Sequence, residues 1–186
     1  MEFLNYAQGL ESLHRNMFQS ETFIPENEYA ELLAKIIEAC PPNYHDWIDG
    51  KLKFANEPPF SKRIKELVKK YPNYFGSSKQ RKYLSENIFN CRNLLTHQGK
   101  NGVKQCLKGQ SITDLRKTTR LLYQLLFLSL IKISEEKINI LINNNKRCQS
   151  VIENSLPSIE SIQQSSKLAS YTCAYLFSSR MCMLTP

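Results

Sequence analysis

Apolar residues recur at three- and four-residue steps through most of this chain. Phe3, Leu4, Ala7, Leu10, Leu13, Met17 and Phe18 form the first such stripe, which predicts an amphipathic helix over residues 3–18. Glu11 and Arg15 stand one turn apart on it, placed to pair. A second helix is expected over 26–39, with Tyr29, Leu32, Leu33, Ile36 and Ile37 facing inward, until Cys40, Pro41 and Pro42 stop it. Residues 43–56 show no clear period. A third helix is expected over 61–71, striped by Ile64, Leu67 and Val68. Ser78 is placed to cap a fourth, over 79–97, which carries Tyr83, Leu84, Ile88, Cys91, Leu94 and Leu95 and meets Gly99 just past its end. Residues 98–110 read as a mobile loop. Ser111 to Asp114 then opens a long helix to about 133, apolar nearly all round at its centre and so destined for the middle of a bundle. A short helix over 134–142 follows, and the Asn143, Asn144, Asn145 run ends it.

No alternating strand pattern and no repeat is present, so the expected fold class is all-α. Periodicity fades beyond Arg147, where Ser, Gln and Asn dominate. The expected organisation is therefore one helical domain, 1–145, and a poorly ordered C-terminal tail, 146–186.

Charge changes this picture more than composition does. The net charge is +8, but residues 1–50 hold 2 Lys+Arg against 9 Asp+Glu, while 51–120 hold 17 against 4. Such a basic block suits an anionic polymer better than a small neutral substrate. A solvated lysine face is the plainer explanation. No signal peptide is visible, and the longest apolar stretch, interrupted by Gln124, Ser129 and Lys132, falls short of the roughly 20 residues a membrane span needs. Cys40, Cys91, Cys106, Cys148, Cys173 and Cys182 are scattered, with no CxxC pair, and read as reduced thiols in a cytoplasmic protein. No carboxylate or Cys/His cluster calls for a metal, and no cofactor is expected.

The basic block contains Asn90, Cys91, Arg92, Asn93, Leu94, Leu95, Thr96, His97, Gln98 and Gly99. An arginine is permanently cationic, and a histidine titrates near neutrality. Asn93 and His97 share a helical face with Arg92 flanking it, and unwinding of the last turn at Gly99 would let His97 swing towards Arg92. RNA carries its own nucleophile, the 2′-hydroxyl. Its cleavage needs only a proton acceptor or donor, a cation over the phosphorus and an aligning group. His97, Arg92 and Asn93 supply these roles. On spacing alone a structural explanation competes: a cation at a helix C-terminus interacts well with the last carbonyls. Lys79, Arg81 and Lys82 before the motif, and Lys100, Lys104 and Lys108 after it, are candidate contacts for RNA phosphates.

Arg92 to His97 resembles the R-x4-6-H motif of the HEPN superfamily, in which a polar residue commonly follows the arginine. Ala7, Gln8, Gly9, Leu10, Glu11, Ser12, Leu13, His14 and Arg15 resemble the first-helix signature of ApeA-like HEPN domains, and the later helices fall in the expected order over about residues 3–142. The resemblance implies a HEPN-like helical bundle that forms a homodimer, bringing two motifs into one cleft, with metal-independent endoribonuclease activity in anti-phage defence or toxin-like growth arrest. The usual N-terminal sensing domain is not part of this sequence, which implies a fragment, a stand-alone remnant or a separate sensing chain. Glu11, His14 and Arg15 match the family pattern, with ion pairing as their expected role. Two other functions compete: a non-catalytic HEPN-type module for RNA, nucleotide or protein, and a plain helical domain whose basic face meets an acidic protein.

Overall fold

The computed structural model describes residues 2–18, 22–97 and 112–154, with Leu156, Ser158 and Glu160 beyond them. Every regular element among these residues is helical, and the fold is all-α. In chain order the helices are α1 (Glu2–Met17), α2 (Glu26–Glu38), a 3₁₀ turn (Pro42–Tyr44), α3 (His45–Leu52), α4 (Phe60–Lys69), α5 (Ser78–His97), α6 (Ile112–Leu130), α7 (Glu135–Asn143) and α8 (Lys146–Asn154).

Helix α6 is the central strut. It packs against α1, α4, α5, α7 and α8, and buries Leu115, Leu121, Leu122, Leu125 and Leu126. Its outer side reaches solvent at Phe127. Helix α1 lies along it with Phe3, Ala7, Leu10 and Leu13 turned inward, and the two run so close that a Cβ on Gly9 would stand 2.6 Å from Tyr123 Cε2. Helix α4 inserts Ile64, Leu67 and Val68 as its period requires. The connector after it is pinned to α6 and α7. Tyr71 Oη donates to the Leu125 carbonyl at 3.1 Å and meets Ser129 Oγ at 2.5 Å, and Tyr74 Oη donates to Asn139 Oδ1. Burial and the nearby Glu135 carboxylate raise the phenol pKa of both tyrosines, keeping them neutral donors, although the Ser129 hydrogen bond pulls Tyr71 the other way.

Three expectations change. Helix α2 buries none of its residues: its apolar stripe meets α3, not the core, because the Cys40, Pro41, Pro42 turn folds α3 back onto it. The Ile24 backbone, hydrogen-bonded to Asn56 through both N–H and carbonyl, closes this hairpin at its base. Secondly, α5 is capped one residue earlier than expected. Ser77 Oγ accepts from Gln80 N while Gln80 Oε1 accepts from Ser77 N, a reciprocal capping box. Thirdly, the helical pack continues past residue 145. Asn145 Oδ1 accepts from Arg147 N and Cys148 N, so the last asparagine of the run starts α8 as well as closing α7. Residues 98–111 and most positions beyond 154, including the loop and tail expectations, lie outside the described residues. Among those described, no helix is long and apolar enough to cross a membrane.

Gly76 precedes the capping box at φ +68°, and a Cβ there would collide with the Gln80 side chain. Gly76→Ala is therefore expected to cost about 1–3 kcal/mol, from left-handed backbone strain and a disturbed cap. Gly50, on α3, has open space around it, and Gly50→Ala is expected to gain about 0.5–1 kcal/mol. Urea unfolding midpoints of the two variants should move in opposite directions.

Candidate functional site

Where α1, α4 and α5 pack together, Cys91 and Ile88 turn into the core and carry Arg92 to its rim. The Arg92 side chain keeps 26% of its surface and is held on three sides. Its Nη1 donates to Asn93 Oδ1 at 3.1 Å, its Nη2 lies 3.7 Å from Glu11 Oε2, and its Cζ sits 5.1 Å from the centre of the Phe60 ring. Phe60 is buried and stacks on Phe89, so the face beneath the guanidinium is rigid. A guanidinium has five N–H donors, and these contacts leave several for an incoming oxyanion.

Glu11 is shared. It also lies 3.5 Å from Arg15, which reaches Glu57 at 2.9 Å, and Glu57 in turn accepts from Arg63 at 2.5 Å. Charges alternate along this chain of contacts from α5 across α1 and the segment before α4 to α4 itself. Arg63 is buried, and its Nε donates to the Pro58 carbonyl at 2.9 Å, which anchors the chain's far end. Arg15 thus serves this network and not the open face of Arg92. His14 is buried on the next turn face, its Nε2 2.7 Å from Glu66 Oε2 and its ring stacked on Phe18. It ties α1 to α4.

Of the residues read from the motif, the structure joins Arg92 and Asn93. Asn93 gives its carbonyl oxygen to the arginine, and therefore orients the cation. Helix α5 stays wound through His97, one turn after Asn93. The side chain of His97 lies outside the described residues, as do Lys100, Lys104 and Lys108. Lys79 and Lys82 are exposed, the latter 4.0 Å from Glu86, and Arg81 donates to the Gly76 carbonyl. They lie on the first turns of α5, about 15–20 Å along its axis from Arg92. Sequence reasoning missed Phe60, Glu57 and Arg63. Nothing in the motif's spacing points to them: the packing of α4 on α5 sets Phe60 under Arg92, while Glu57 and Arg63 reach it only through Arg15 and Glu11.

Among the described residues, no group of three or more His, Cys, Asp and Glu side chains could hold a metal ion. The first-helix pattern and the polar residue after Arg92 resemble one family. Its description, Apea-like HEPN, matches residues 4–137. The chain belongs to the Apea-like HEPN family. The matched span runs from α1 into α7, so it takes in every element that holds Arg92. No curated protein and no solved structure matches the chain.

Proposed function

We propose that this Apea-like HEPN domain is a metal-independent endoribonuclease that works as a homodimer, with Arg92, Asn93 and His97 from each copy around one scissile phosphate. The observation that carries the reading is Arg92 itself: a cation fixed by an amide, a carboxylate and an aromatic ring, yet open on one side. Cleavage begins when the 2′-hydroxyl of RNA attacks the adjacent phosphorus. One His97 imidazole accepts the hydroxyl proton as the 2′-oxygen to phosphorus bond forms. The bond to the 5′-oxygen breaks, and the partner copy's His97 returns a proton to that leaving oxygen. The products are a 2′,3′-cyclic phosphate and a free 5′-hydroxyl. Arg92 neutralises the charge that gathers on the non-bridging oxygens, where a fixed guanidinium acts without reorganising. Lys79 and Lys82, and Lys100, Lys104 and Lys108, steer the strand. The cellular role is degradation of RNA in the cytoplasm as anti-phage defence or growth arrest.

One observation favours a second reading. The Glu11 carboxylate already accompanies Arg92, as it would in a non-catalytic module that binds RNA, nucleotide or a protein. The two separate in one experiment. Purified protein is expected to cut single-stranded RNA in the presence of EDTA and to leave 2′,3′-cyclic phosphate ends. Salt-sensitive RNA binding without cutting would support the second reading. A dependence on added divalent metal would refute the proposed chemistry. A monomer at working concentration would refute the shared cleft.

A further inference from the structure

A groove of about 530 Å³ runs between α6 and α8, and none of its residues belongs to α1, α4 or α5. Lys117 and Arg120 line it from α6, and Lys146 and Arg147 from the start of α8. Lys117 stands 3.4 Å from Asp114, but among the described residues Arg120, Lys146 and Arg147 have no carboxylate partner. The two helices thus bring three uncompensated cations to one concavity. Its floor is apolar, with buried Leu121 and half-buried Val151 and Cys148. The Arg120 charge reaches Cys148 across the groove, where it opposes the rise in thiol pKa that burial causes.

The geometry points to a binding site for a small, multiply charged phosphate compound, lying across α6 and α8 and separate from the Arg92 site. Two properties select that class. The volume falls within the range of small-molecule sites, roughly 300–1,000 Å³, and α8 spans only about 13 Å, which suits a compact ligand. Among the described residues no aromatic side chain lines the groove, so they offer none of the platforms on which single-stranded RNA stacks its bases. Convergent guanidinium and ammonium groups pair best with adjacent phosphates.

Sodium tripolyphosphate titrated calorimetrically into the full chain at low ionic strength is expected to give one saturable site. Arg120→Glu and Arg147→Glu, both at exposed positions where the fold tolerates change, should each weaken it about tenfold or more. Lys69→Glu makes the same charge change at an exposed position on α4 and should leave affinity within about threefold of the parent. Tripolyphosphate should also slow iodoacetamide alkylation of Cys148 several-fold, read by peptide mass spectrometry, while Cys40 serves as the unaffected reference. Absent binding, equal losses in Lys69→Glu and Arg120→Glu, or an unprotected Cys148 would each overturn the assignment. So would a single-stranded RNA oligonucleotide that protects Cys148 and displaces tripolyphosphate, since the groove would then belong to an RNA path.

Discussion

Arg92→Ala is expected to lower RNA cleavage by about 10²–10³-fold, and His97→Ala by about 10²–10⁴-fold, with the helical fold retained in both. The first figure is that of losing one preorganised charge at an oxyanion, the second that of losing a general acid or base. Arg92 is suited to such a loss because its partners fix it before substrate arrives. Removing it leaves Glu11 still beside Arg15, so no carboxylate is stranded, and the stability change should stay near 1 kcal/mol, as for a partly exposed ion pair. Arg92→Lys tests the fork: charge survives, but the bond to Asn93 and the flat contact over Phe60 do not, and most of the loss should remain. Glu11→Gln removes only the countercharge, and a change within about tenfold is expected because Asn93 and Phe60 still hold the guanidinium. Cyclic-phosphate formation under single-turnover conditions measures all four variants. If Arg92→Ala and His97→Ala both cut RNA at the parent rate, the site is elsewhere.

What could be read in advance follows the range of the forces involved. Stripes at helical spacing located α1, α4, α6 and α7, because burial of one helix face leaves its period in the sequence. The pattern says that a face is covered and not by what. The Tyr29, Leu32, Leu33, Ile36 and Ile37 stripe therefore read as core, when α2 packs on α3 and Leu32 is exposed. Asn145 read only as a stop, although an asparagine that ends one helix can cap the next, and Cys148, Val151 and Ile152 follow at helical steps. The site divides the same way. Arg92 and Asn93 were legible as site residues, but Asn93 read as the aligning group for substrate or histidine, and its bond to Arg92 came only with the structure. Glu11 and Phe60 reach them only through the packing of α1 and α4 on α5, which no local pattern encodes.

The largest stability effect should come from that packing, at Phe75. Its ring is fully buried in the connector between α4 and α5, beside Tyr71 and Tyr74, whose hydroxyls tie the connector to α6 and α7. Phe75→Ala removes a large apolar area and leaves a cavity that neighbours so anchored cannot close, and an unfolding free energy lower by about 3–5 kcal/mol is expected. Against a total of roughly 5–15 kcal/mol for a domain, that is between about a fifth of the margin and all of it. Phe54→Ala makes the same chemical change on the α2–α3 hairpin, where the ring is 58% exposed, and should stay within about 0.5 kcal/mol. Urea unfolding measures both, with the slope unchanged if the native fold persists. Equal midpoints for the two variants would mean that the connector is no part of the core. In that case α5 would lack the foundation that holds Arg92 between Glu11 and Phe60.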